Sequence, residues 1–155
     1  MYTTILTLHS WLRWVALVAG VAATISALRD TTPSKGPTRA DRWGLILMAT
    51  LDTQMLLGLV MYFAVSPTMA AIRENFGGAM KDPVARFWAV EHITTMMLAV
   101  VVTHVGRVLA RKSATPEAKR MKLFVSFAVA TALMLLATPW PGLRAGRVLF
   151  RGLGF

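Results

Sequence analysis

Four long apolar blocks, with nearly every charge confined to the stretches between them, constrain this chain more than any other feature. The first runs from about Trp14 to Leu28 and extends back through Ile5; the others run from Trp43 to Val65, Phe87 to Val105 and Leu123 to Ala137. A helix needs about 20 apolar residues to cross a hydrocarbon core ~30 Å thick. Four such spans occupy about half of the 155 residues. The pattern predicts an all-α integral membrane protein, a four-helix up-down bundle forming one transmembrane domain over residues 1–155. Its spans are expected at about 5–28, 43–65, 87–107 and 121–138, with an interfacial tail over 142–155. The first block is not read as a cleaved secretory signal, because no basic residue precedes it and Arg13 interrupts it. The chain has no cysteine, which excludes disulfides, thiolate zinc sites and iron–sulfur clusters.

All five tryptophans (Trp11, Trp14, Trp43, Trp88 and Trp140) fall at expected span ends, where amphipathic rings sit at headgroup level. Ten of the 17 lysines and arginines lie in Arg29–Arg42 and Arg107–Lys122, the two linkers that share one side. The positive-inside rule makes that side cytoplasmic and turns both termini outward. The net charge of +10 therefore flanks hydrocarbon spans, where anionic lipid headgroups are the natural partners. It is not gathered with aromatics into a nucleic-acid surface.

The linkers differ in character. Asp30–Arg39 is a turn-rich breaker. Ser66–Arg86 is the longest connection, holds a short helix expected over Met69–Phe76, and is the segment expected to cover a site on the outer face. Ser113-Ala-Thr-Pro-Glu117 is a helix-start signal, with proline at an early position and glutamate after it. No P-loop, dinucleotide-binding glycine motif, nucleophile elbow or His-Glu-x-x-His occurs.

Ionisable groups inside a span are costly unless paired or turned to a polar interior, so each needs a destination. They are His9 and Arg13 in span one, Asp52 in span two, and Glu91, His92 and His104 in span three. Spans one and three run parallel, and His9 and His92 both sit about one turn in from the outer boundary. Two imidazoles at one depth on two helices meet the requirement for bis-histidine ligation of a haem b iron. Small residues, Gly20 on the His9 face and Gly58 on span two, either let a flat cofactor approach or simply pack helices. Arg13 and Glu91, at similar depth, are expected to form an ion pair. The alternative has Arg13 or Arg86 meeting haem propionates. His104 lies twelve residues beyond His92, ~18 Å along the helix, and cannot share its metal. Asp52 and His104 are candidates for a proton-handling pair, a quinone contact or a plain hydrogen bond. The methionines, scattered through the apolar spans, read as packing.

The stretches His9-Ser-Trp-Leu-Arg13, Leu56-Leu-Gly-Leu-Val-Met-Tyr62, Arg86-Phe-Trp-Ala-Val-Glu-His92, His104-Val-Gly-Arg107 and Pro139-Trp-Pro-Gly142 resemble a group of small four-span bacterial membrane proteins loosely described as cytochrome b-like. They are also similar to the bis-histidine bundles of cytochrome b561 type, which pass electrons between quinone and a partner. The resemblance implies a bacterial cytoplasmic membrane location and His9 and His92 as axial ligands. The chain departs from those bundles in having three histidines, where two haems need four. At most one haem is expected.

Two functions are expected on this basis. One is a single-haem electron carrier near the outer face, with Arg13, Glu91, Arg86, Gly20 and Gly58 around His9 and His92, exchanging electrons with quinone or a redox partner. The other is a cofactor-free structural or regulatory subunit of a larger membrane complex. Association with further copies of the chain is open to both, and a transport pathway would require it.

Overall fold

A computed structural model describes residues 1–30, 37–143, 145–148 and 150. Much of the Asp30–Arg39 breaker and part of the 142–155 tail therefore lie outside the described residues. The helices are α1 (Tyr2–Arg29), α2 (Arg39–Val60), α3 (Pro67–Glu74), α4 (Phe76–Ala79), α5 (Pro83–Arg86), α6 (His92–Arg111) and α7 (Pro116–Ala137). Two π-helical turns join them: Met61–Val65 prolongs α2, and Phe87–Glu91 fuses α5 to α6. No strand occurs among the described residues. Four continuous helices result, of 28, 27, 29 and 22 residues, each long and apolar enough to cross a membrane. Even the shortest rises ~33 Å at 1.5 Å per residue.

Local chemistry sets the helix ends. Thr38 and Asp41 form a reciprocal capping box at the start of α2. Thr115 caps α7 with Pro116 in its first turn, as the start signal predicted. Asp82 and Pro83 do the same for α5. The run ends at Thr138-Pro139, because proline cannot supply the next N–H and forces an extended residue before it.

The long helices pack in a ring, α1 against α2 and α7, and α6 against α2 and α7. The inner stripe of α1 is small: Ala16, Ala19, Gly20, Ala23 and Ala27 are buried. Without a hydrophobic drive between helices in lipid, close approach through small residues is what dispersion can exploit. A Cβ on Gly20 would stand 2.6 Å from Thr131 Oγ1 and 2.8 Å from Met134 Cε on α7. Gly20 therefore packs helix on helix. The core centres on Leu47, Leu51, Phe127 and Met134.

The end of the bundle rich in basic residues is locked by polar contacts. Arg107 donates to the Asp41 carbonyl (3.0 Å), and Lys119 pairs with the Asp41 carboxylate (2.6 Å). At the opposite end the long linker folds into its own small core of Met69, Ile72, Ala79 and Ala89, packed against Tyr62 and Trp88. The short helix expected over Met69–Phe76 begins earlier, at Pro67, because Ser66 caps it.

Candidate functional site

Both π turns stand at the histidine end. Each inserts a residue into the helical repeat and so rotates the residues beyond it around the helix axis. The turn Phe87–Glu91 is closed by the backbone N–H of His92 donating to the Phe87 carbonyl. Met61–Val65 is closed by Ser66 donating to Met61. The Ala89 carbonyl, within the second turn, accepts from Tyr62 Oη at 2.8 Å, which ties one π turn to the other.

His92 consequently points into the bundle and meets His9 on α1, with ring centroids 6.4 Å apart and planes inclined at 67°. His92 Nδ1 donates to the Ala137 carbonyl at the end of α7 (2.9 Å). That bond leaves Nε2 as the nitrogen with a free lone pair, the usual way a ligating imidazole is oriented. Phe87 and Trp88 flank the ring at 5.7 and 5.6 Å. His9 is held through its backbone, its carbonyl accepting from Gln54 Nε2 at 2.8 Å. Among the described residues its buried Nδ1 has no hydrogen-bond partner, and neither has Gln54 Oε1.

The two rings border a partly open, mainly apolar cavity of about 140 Å3. Arg13, Ala16 and Leu6 line it from α1, and Gln54, Met55 and Gly58 from α2. A Cβ on Gly58 would meet His9 Cε1 at 3.6 Å, so this glycine does face the histidines. Ser66 and Met69 of the long linker also line the cavity, in keeping with its expected covering role.

Several expectations require correction. Gly20 lies outside the cavity, in the α1–α7 contact. Glu91 does not turn to Arg13: its carboxylate takes Arg86 Nε at 2.7 Å, with both side chains about half exposed. The π turn is the reason, since its wider i→i+5 repeat brings position 91 closer to the face of position 86 than an α-helix would. Neither Arg86 nor Glu91 lines the cavity. The tail does more than lie along an interface. Arg147 sits 4.3 Å over the Trp88 ring, Phe150 stacks on Trp14 at 5.2 Å, and Arg147 and Val148 line the cavity.

Asp52 and His104 come together on the exposed side of α2 and α6, and neither lines this cavity. His104 Nε2 and Asp52 Oδ1 share a hydrogen bond of 2.8 Å. Among the described residues no group of three or more His, Asp or Glu side chains converges as a metal cage would require.

Sequence reasoning missed Gln54, Tyr62, Trp88, Arg147 and Val148. Gln54 is a polar side chain buried in an apolar span, a signal that was present. The tail residues carried no signal, because a long-range fold-back leaves no periodicity. Comparison with protein-family models, curated proteins and solved structures finds no match for this chain.

Proposed function

We propose that the protein is a single-haem, b-type electron carrier, with His9 and His92 as the two axial ligands. The observation that supports this most directly is the ring separation. A nitrogen–metal bond of about 2.0 Å on each side, with about 1.1 Å from nitrogen to ring centre, puts two imidazoles on one metal roughly 6.2 Å apart. The centroids here are 6.4 Å apart. The Ala137 carbonyl holds His92 in the ligating tautomer. Two ligands also suffice for a macrocycle that brings its own four nitrogens, whereas a bare ion would need a third or fourth side chain.

The bound group would supply a one-electron iron couple. The chain's part is to aim two imidazoles, surround them with Leu6, Ala16, Met55 and Gly58, and limit water through the linker and tail. Ser66 and Met69 of the linker and Arg147 and Val148 of the tail border the cavity, and their displacement is the route we assign for uptake of a tetrapyrrole. Quinone or a membrane redox partner is the electron-exchange partner we assign. We place the histidine end on the outer face of a bacterial cytoplasmic membrane, from the lysine and arginine distribution.

The test is a reduced-minus-oxidised visible spectrum of protein purified in detergent, after expression with adequate haem supply. The reading expects a Soret band lost in both His9→Ala and His92→Ala. Colourless wild-type protein, or variants with an unchanged band, would reject it. The aromatic packing of His92 by Phe87 and Trp88 favours a second reading, in which both histidines are structural and the chain is a cofactor-free subunit. Colourless protein that co-purifies with a stoichiometric partner distinguishes that case.

A further inference from the structure

Asp52 is the middle residue of the continuous helix Arg39–Val65, ~20 Å from either end at 1.5 Å per residue. It is therefore at hydrocarbon depth, and so is the His104 side chain bonded to it. Yet their side chains are 46% and 45% exposed on the outer surface of the bundle. The rest of that surface suits lipid: Leu45 and Leu56 on α2, and Leu98, Val101 and Val105 on α6, are all exposed. A polar acid–base pair in the middle of such a face is costly in hydrocarbon, and no headgroup reaches it. Something covers it.

We infer that a second copy of this chain covers it, through a two-fold axis along the membrane normal. The chemistry of the pair selects that occupant. Asp52 Oδ1 and His104 Nε2 satisfy each other. Asp52 Oδ2 and His104 Nδ1 have no partner among the described residues. Hydrocarbon disfavours a net charge, and in either net-neutral form, acid with imidazole or carboxylate with imidazolium, those two free positions are one donor and one acceptor. A two-fold copy presents the same two positions in reverse, so each free donor meets a free acceptor and all four side chains are satisfied. An axis along the membrane normal keeps both pairs at one depth. Ala49 and Thr53, small and exposed on the same face of α2, let the backbones approach closely enough. This inference stands apart from the haem reading and uses none of its residues.

The chain has no cysteine, so single cysteines report the interface without background. Ala49→Cys and Thr53→Cys, oxidised in native membranes, are expected to give a band at twice the chain mass. Val18→Cys, exposed on α1, is expected to stay at the chain mass. Light scattering of the detergent-solubilised wild type should give two chains per particle. Asp52→Leu with His104→Leu should lower the dimer fraction about tenfold at equal concentration, with helical circular dichroism unchanged. Four results would each overturn the proposal: monomeric wild type, cross-linking through Val18→Cys instead, a double variant that dimerises as well as wild type, or a stoichiometric foreign subunit cross-linked at Thr53→Cys.

Discussion

The two cavity histidines differ in what they do for the fold, and that difference can be measured without any cofactor. His92 Nδ1 donates to the Ala137 carbonyl, one of the last carbonyls of α7, for which the helix has no N–H to offer. Ala137 is 3% exposed, so water cannot replace the imidazole. Replacing His92 with Phe keeps the ring volume between Phe87 and Trp88 but leaves that acceptor unpaired. An orphaned buried acceptor costs about 1–3 kcal/mol. For a domain of this size each kcal/mol lowers the midpoint by about 2–4 °C, so the expected drop is roughly 2–12 °C. His9 has the opposite character, because its buried Nδ1 has no hydrogen-bond partner among the described residues. Replacing His9 with Leu removes an unpaired polar atom, and Tm should stay level or rise. His92→Asn, which retains an N–H on a shorter arm, should fall between. The assay is thermal unfolding followed by circular dichroism, on preparations without a Soret band so that no ligand contributes. His92→Phe as stable as wild type, or His9→Leu as damaging as His92→Phe, would refute the reasoning.

The packing sets three further outcomes. A Cβ on Gly106 would overlap Ser126 Cβ as well as its hydroxyl, so Gly106→Ala should destabilise by about 1–3 kcal/mol through overpacking. Ser126→Gly should rescue it in a chemical-denaturation cycle, whereas Ser126→Ala should not, because it keeps the offending Cβ. Phe127, fully buried against Gly44 and Arg107, should cost about 3–5 kcal/mol when cut to Ala, read as a lower denaturation midpoint. The Arg86–Glu91 pair is about half exposed, so Glu91→Gln should change stability by about 1 kcal/mol or less and leave any Soret band in place. A loss of the band in that variant would return Glu91 to the site.

The bundle was legible from the sequence because membrane insertion is set by local composition. A run of apolar residues must become a helix in hydrocarbon whatever its neighbours do, since its backbone has no other hydrogen-bond partner there. The pairing of His9 with His92 was legible for a related reason, because depth along a rod comes from counting residues. The start of α7 was legible in the Ser113–Glu117 signal, whereas α2 starts at Arg39, ahead of the expected Trp43, through the Thr38–Asp41 capping box.

Azimuth was not legible. Which way a side chain points around its helix depends on every residue of phase before it, and the turns Met61–Val65 and Phe87–Glu91 each shift that phase by an amount no periodicity announces. That is why Glu91 faces Arg86 while its neighbour His92 faces the cavity. Gly20 and Gly58 stand on regular α-helix outside both turns, and what they face, α7 and His9, was set by how the helices pack. The return of Arg147 and Phe150 onto Trp88 and Trp14 depends on a chain reversal after Pro139, and the outward face of Asp52 and His104 on how α2 meets α6. Depth was written along the chain, one residue at a time; direction arose only when four helices had to share one interior.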